Sequence, residues 1–316
     1  MTAEPLHLRM MGSGNNWMNV CGIVAVAINS YYSPLPPGSL VSVTTMDPGV
    51  GSMDGPKMVG EGRFDVGITT PGWYGRLALE GRAPFTRAYA LRGLALFPHD
   101  DRMAIVVRAS TGIKSIREIV EKQIPLRYSI PVVESSHPAI WGADQIFAEY
   151  GFSRADLDRW GGTRLKDRPK TQSDPSAAPI SEDWEALFDE AIMTPRWKNL
   201  TTLYDCTFLP VEDGVLTRLE AKGMPRGTIA KGRLPKIEED VPTLDFSDWL
   251  MYCREDLDDS VAYHLAKTID DNKKAFNARI PVSLTAPVDP AAFASKMPIP
   301  LHPGAERYYR EKGYVK

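Results

Sequence analysis

The first eighty residues repeat one pattern: an apolar extended run, a turn rich in Gly or Pro, then a run with helical spacing. Residues 6–11 (Leu-His-Leu-Arg-Met-Met) read as a strand, and Gly12-Ser13-Gly14-Asn15-Asn16 turns the chain into a helix over 17–30, with Asn15 or Asn16 as its cap. Residues 40–46 alternate as a second strand, and the loop 49–56 leads to a helix over 56–61. Residues 64–69 (Phe-Asp-Val-Gly-Ile-Thr) form a third strand, and Thr70-Pro71-Gly72 opens a helix over 73–80. Strands separated by helices pair side by side in one direction, with the helices covering the sheet. An α/β fold on a parallel sheet is therefore predicted. Ligands of such sheets bind beyond the carboxyl ends of the strands, where all three turns lie.

A second unit follows. Apolar runs at 87–97 and 102–108 are split by Pro98-His99-Asp100-Asp101. A helix over 113–120, a strand over 126–133, a turn at 134–138 and a helix over 139–150 come next. Residues 161–182 are polar and read as a surface insertion. Residues 184–190 read as a helix and 191–194 as a short strand. Residues 207–210 carry the chain back, 246–254 form a strand, and 261–276 form a long amphipathic helix. A first unit, a second unit and a return is the order of a two-lobed, hinge-bending binding protein with its ligand cleft between the lobes. Lobe one is expected at 1–104 and 208–316, lobe two at 105–207, and the hinges at 98–101 and 207–210.

Net charge is −3 with no block of Lys and Arg, which argues against nucleic acid as a partner. No apolar run approaches the roughly 18 residues a membrane span needs. Cys21, Cys206 and Cys253 have no metal or redox spacing, and Cys21 falls in an apolar helical pattern as core. His99, Asp100 and Asp101 are consecutive in a polar turn and read as solvated, so no metal is expected. No P-loop, G-x-G-x-x-G or G-x-S-x-G occurs, and no cofactor is expected. Residues 1–5 carry no basic leader. The expected location is the periplasm if a signal peptide was trimmed, and the cytoplasm if Met1 is the native start.

Residues 298–313 read Pro-Ile-Pro-Leu-His-Pro-Gly-Ala-Glu-Arg-Tyr-Tyr-Arg-Glu-Lys-Gly, a stiff approach, a turn and a short helix. This wording resembles the C-terminal signature of the TAXI family, solute receptors associated with TRAP transporters. Gly60-Glu-Gly-Arg-Phe-Asp-Val-Gly-Ile68, Leu91-Arg-Gly-Leu-Ala-Leu96, Thr111-Gly-Ile-Lys-Ser-Ile-Arg-Glu-Ile119 and Asp256-Leu-Asp-Asp-Ser-Val-Ala-Tyr263 are similar to further blocks of that family, in the same order. The resemblance implies a type II periplasmic-binding-protein fold and a noncatalytic receptor. Its partners would be a small-molecule organic anion and, if the protein is exported, the membrane subunits of a TRAP-type transporter. The wording departs from the family near the expected ligand: Gly14-Asn-Asn-Trp-Met-Asn19, Gly51-Ser-Met-Asp-Gly55 and Glu134-Ser-Ser-His-Pro138 replace its usual glycine-rich blocks.

Helix N-termini present unpaired N–H groups to an anion. Three such ends are expected to converge: Asn15-Asn16-Trp17, Ser52-Met53 and Ser135-Ser136-His137, each also able to cap its own helix. Trp17 and Trp73 are candidates for an aromatic wall, and Thr69 and Thr70 for hydroxyl donors. Thr194 and Arg196 follow the expected short strand of lobe two, with Arg196 as a bidentate carboxylate partner. His302 reads as structural. The alternative function is a signal-less cytosolic enzyme or sensor acting on a small carboxylate or aromatic compound, with His137 and Glu134 as acid and base.

Overall fold

The protein is described here from a computed structural model covering residues 4–30, 34–46, 48–130, 137–165, 183–280 and 283–316. The described chain divides into one unit of residues 1–100 with 247–316 and a second of 101–246. The first opens with β1 (His7–Met11), α1 (Gly14–Ile28), β2 (Leu40–Thr44), α2 (Pro48–Met53), α3 (Gly55–Gly60), β3 (Val66–Thr69), α4 (Tyr74–Glu80) and β4 (Leu91–Phe97). The second holds β5 (Ala104–Arg108), α5 (Ile116–Glu121), β6 (Arg127–Ser129), α6 (Pro138–Glu149), α7 (Arg154–Arg159), β7 (Thr163–Leu165), β8 (Ala186–Asp189), α8 (Pro195–Leu203), β9 (Cys206–Phe208), α9 (Asp213–Ala221), β10 (Arg226–Ile229) and β11 (Val241–Leu244). The chain then completes the first unit with β12 (Trp249–Arg254), α10 (Asp259–Asp271), α11 (Lys273–Arg279), α12 (Pro290–Phe293) and α13 (Pro303–Glu311).

Each unit is built on a 5-stranded sheet, ordered β2-β1-β3-β12-β4 in the first and β7-β6-β8-β5-β9 in the second. The α/β class is as expected, but both sheets are mixed. β12 runs antiparallel to β3 and β4, and β5 antiparallel to β8 and β9. The return strand arrives from the second unit rather than from a covering helix, so no right-handed crossover constrains its direction.

Several expectations change. The chain leaves the first unit at 100/101, not 104, and returns at 246/247, not 207/208. Residues 207–210 are therefore no crossing: Thr207 and Phe208 pair with β5 inside the second unit. Residues 211–245, unassigned from sequence, build α9, β10 and β11. The run 184–190 holds the strand β8, buried at every position and flanked by β6 and β5. A short run buried at every position shows no alternation to separate strand from helix. Residues 191–194 make a turn, not a strand, and lead into α8. The loop at 49–56 contains the helix α2, and the helix expected over 261–276 breaks at Asn272, whose side chain bonds Thr268 O at 2.8 Å. Most of the 161–182 insertion lies outside the described residues.

His99 and Asp101 are buried rather than solvated. The His99 ring lies 4.7 Å from Trp249, and its Nδ1 is 2.8 Å from Ser283 O, an oxygen that can only accept, so Nδ1 carries the proton. Cys21 sits in the first unit's core, where burial pushes its thiol up to about 12.

The tail motif is structural. His302 caps α13 by accepting from Gly304 N–H (3.2 Å), and a Cβ on Gly304 would lie 2.0 Å from Asp259 O of α10. Tyr308 donates to Asp270 (2.9 Å) and Tyr309 to Leu94 O (2.8 Å), so the two tyrosines moor α13 to α10 and β4.

Asp65 joins three strands. It accepts from Arg9 N–H (2.7 Å), Arg9 Nε (3.0 Å) and Nη2 (2.8 Å), and Arg254 Nη1 (3.0 Å). Burial raises its carboxyl pKa, but the bonds from Arg9 and then Arg254 win and hold it below the usual carboxylate range. The folded pKa is below the unfolded one, so this stability is complete above about pH 4 and lost as pH falls through the folded value. Arg9 and Arg254 are partly exposed, so neither is left as a fully buried charge when Asp65 changes. Asp65→Asn is therefore expected to cost about 2–3 kcal/mol at pH 7. Urea unfolding should show the gap to wild type shrinking below about pH 4; a gap that is constant with pH contradicts the clamp.

Candidate functional site

In the first sheet, β1 lies between β2 and β3. The chain leaves β1 through α1 to reach β2 on one side, then crosses through α2 and α3 to β3 on the other. The strand order reverses between β1 and β3, and outside the carboxyl ends at such a reversal a crevice opens. Only Met10 and Val66 are paired in that ladder, so β1 turns away at Gly12 while β3 runs on to Thr69.

Hydroxyl side chains from the three turns meet there. Ser52, on α2, donates to Thr70 O (2.7 Å) and accepts from Thr70 N–H (3.1 Å). Thr69 returns a bond from Oγ1 to Ser52 O (2.7 Å). These reciprocal bonds lock the end of β3 to α2 and point the hydroxyl protons of Ser52 and Thr69 at carbonyls, which suits a rigid wall rather than a nucleophile. Ser13 stands opposite. It is 2% exposed, and among the described residues its Oγ has no hydrogen-bond partner. A Cβ on Gly51 would lie 1.5 Å from that oxygen, so only glycine at 51 lets the two turns approach this closely.

Ser13, not Asn15 or Asn16, is the N-cap residue of α1, and its side chain makes no capping bond. Sequence reading passed over it because two asparagines follow; the signal was a serine held between two glycines. The first turn of this 15-residue helix carries no acid, so its N–H groups and partial positive charge are unopposed by a carboxylate of its own first turn. Asn15 and Asn16 lie in that first turn, and Asn16 Nδ2 donates to Ser283 Oγ (2.8 Å). Ser52 and Met53 end α2 instead of starting a helix, and Met53 O accepts from the Tyr74 hydroxyl (3.2 Å). Trp17 and Trp73 are both buried, and Trp17 meets Trp249 edge-on at 6.2 Å. The structure thus gathers Asn16, Trp17, Ser52, Met53, Thr69, Thr70 and Trp73 within one unit.

The second unit holds the other candidates. His137 caps α6 by accepting from Ala139 N–H at Nδ1 (3.2 Å); Glu134, Ser135 and Ser136 lie outside the described residues. Thr194 precedes α8 and donates to Ala191 O (2.8 Å). Arg196 is ion-paired with Asp189, donates to Glu190 O (3.1 Å) and stacks over Trp197. Burial lowers the Arg196 pKa, but the Asp189 carboxylate prevails and holds it raised. Its guanidinium is therefore committed to the end of β8. The intervening turn is held by Asp101, which accepts from Ala191 N–H (2.8 Å) and Ile192 N–H (2.9 Å), with Ala191 at φ +61.

A family model described as NMT1-like matches residues 23–313 of the chain. No curated protein matches it. Among solved structures, the chain is similar to a Xanthomonas citri protein bound to chloride ion (10% identity, TM-score 0.48, 96% of this chain and 99% of that one). It is also similar to the glycine betaine/L-proline-binding protein ProX of Borrelia burgdorferi (12%, 0.42, 96% and 98%). A third is iron-bound HitA of Pseudomonas aeruginosa (13%, 0.40, 99% and 100%).

Asp189 is wholly buried, so Asp189→Asn strands the Arg196 charge and is expected to destabilise the protein by about 3–5 kcal/mol. The double change Asp189→Leu with Arg196→Met is expected to lose less than that single change. Thermal unfolding of the three proteins tests this; a double variant weaker than Asp189→Asn contradicts it.

Proposed function

The chain belongs to the NMT1-like family, and we propose that it is a solute-binding receptor for a small organic anion. The observation that carries this reading is the meeting of Ser13, Ser52, Thr69 and Thr70 with the N-terminus of α1 at the strand reversal of the first sheet. Backbone N–H groups at a helix start suit a carboxylate, and a hydroxyl already buried without a partner is a donor whose desolvation is complete before the ligand arrives. Trp17 and Trp73 give the apolar part of the ligand a firm backing. The blocks similar to the TAXI family, and above all the tail at 298–313, support a TRAP-type transporter as the membrane partner of an exported form. Among the described residues no helix is long and apolar enough to cross a membrane.

Thermal shift with succinate and phenylacetate tests the reading. Both acids, or one of them, should raise the melting temperature, and betaine and glucose should not. Ser13→Ala removes an unpartnered buried hydroxyl, so it is expected to stabilise the ligand-free protein by about 1 kcal/mol while weakening acid binding about tenfold. Stabilisation by glucose or betaine alone, or undiminished acid binding in Ser13→Ala, overturns the proposal.

A further inference from the structure

β9 is the edge strand of the second sheet. Against β5, Ala109 N–H donates to Asp205 O (2.9 Å) and Leu209 N–H to Ile105 O (2.8 Å). With the register Val107↔Thr207, Thr207 is then the hydrogen-bonded partner between them. Cys206 and Phe208 alternate with it, so their N–H and C=O groups point the other way, off the edge of the sheet. Among the described residues nothing pairs with that side. It faces a cavity of about 490 Å³ whose far wall is the segment 236–241.

The walls define what fits. Phe208, Ile237 and Val241 give the cavity an apolar side. Glu238, Glu239 and Asp240 are exposed on its rim, and neither glutamate is ion-paired among the described residues. The one lysine that lines it, Lys236, is bound to Asp205 (2.6 Å). The cavity is therefore acidic, with in-plane backbone donors and acceptors along one side. A free amine would answer the charge but leave those backbone groups unmatched. A second copy of β9 would match them but bring its own acidic rim against this one. An extended segment satisfies both, pairing with Cys206 and Phe208 as an added strand, setting alternate apolar side chains on Phe208, Ile237 and Val241, and presenting basic ones to the rim.

We propose that the β9 edge is a docking site for a short, extended basic peptide segment of a partner protein. It is separate from the crevice of the first unit and does not depend on that crevice binding an anion. The probe is acetyl-Lys-Val-Lys-Val-Lys-amide, titrated by calorimetry with hydrogen exchange read at single amides. The peptide should bind, and exchange at Cys206 and Phe208 should slow. Affinity should fall about tenfold or more for the Glu-Val-Glu-Val-Glu counterpart, for Glu238→Lys with Glu239→Lys, and for the same basic peptide N-methylated at the valines or, separately, at the lysines, one of which must face β9. Equal binding of both methylated peptides would show charge attraction alone and overturn the proposal. Equal competition by 1,5-diaminopentane would assign the cavity to small amines. Protection of Cys206 and Phe208 in a peptide-free dimer would assign the edge to self-association. Either result overturns it, as does no binding.

Discussion

The arrangement in the first unit rests on the carboxylate of Asp65. β1 and β3 share a single registered pair, too little to hold two central strands of a sheet in line. Asp65 supplies the rest, accepting from the backbone and side chain of Arg9 while Asp65 N–H donates to Arg9 O (2.8 Å). Arg254 ties β12 to the same group. The clamp sits at the amino end of β3. With that end fixed, the carboxyl ends are free to part, and the crevice at the strand reversal follows from the parting.

What fills the parted end is polar but not charged. Ser52, Thr69 and Thr70 satisfy one another, which fixes α2 against β3 without placing an ion at the crevice. Ser13 is left over: Gly51 packs α2 against it, and among the described residues its buried hydroxyl has no partner. A buried donor without a partner costs about 1–3 kcal/mol. The second unit resolves its charges differently. Arg196 and Asp189 neutralise each other in the interior, and Asp101 holds the turn that places them. The cation that looked most suited to a carboxylate ligand therefore serves the fold.

Sequence patterns located the strands of the first unit well because each is bounded by turn residues: Gly12-Ser13-Gly14 after β1, Thr70-Pro71-Gly72 after β3. They failed where periodicity is absent. β8 is buried at every position, Asp189 included, so it shows no alternation, and nothing local separates such a run from a helix turn. Pro48 and the glycines at 49 and 51 argue for a loop, yet α2 forms there because Ser52 is pinned by β3, a tertiary effect. Residues 211–245 were silent because β10 and β11 pair with each other in a separate 2-stranded sheet, with short runs broken by polar residues. In the site, Ser52, Thr69 and Thr70 were legible from their place at the carboxyl edge. Ser13 was not, since its importance comes from the close approach of Gly51, distant in the chain and visible in no local pattern. The role of Arg196 is hidden in the sequence because the run 184–190 reads as a helix there, which conceals Asp189 as the partner that claims it.

The central claim is that an anion sits on the N-terminus of α1 at the β1/β3 reversal. Amide chemical-shift mapping during titration with succinate and phenylacetate reads this position directly. The account predicts the largest shifts at Ser13, Gly14, Asn16, Trp17 and Thr70, with smaller ones at Ser52. Saturable binding of either acid that leaves those amides unmoved and shifts others would contradict it.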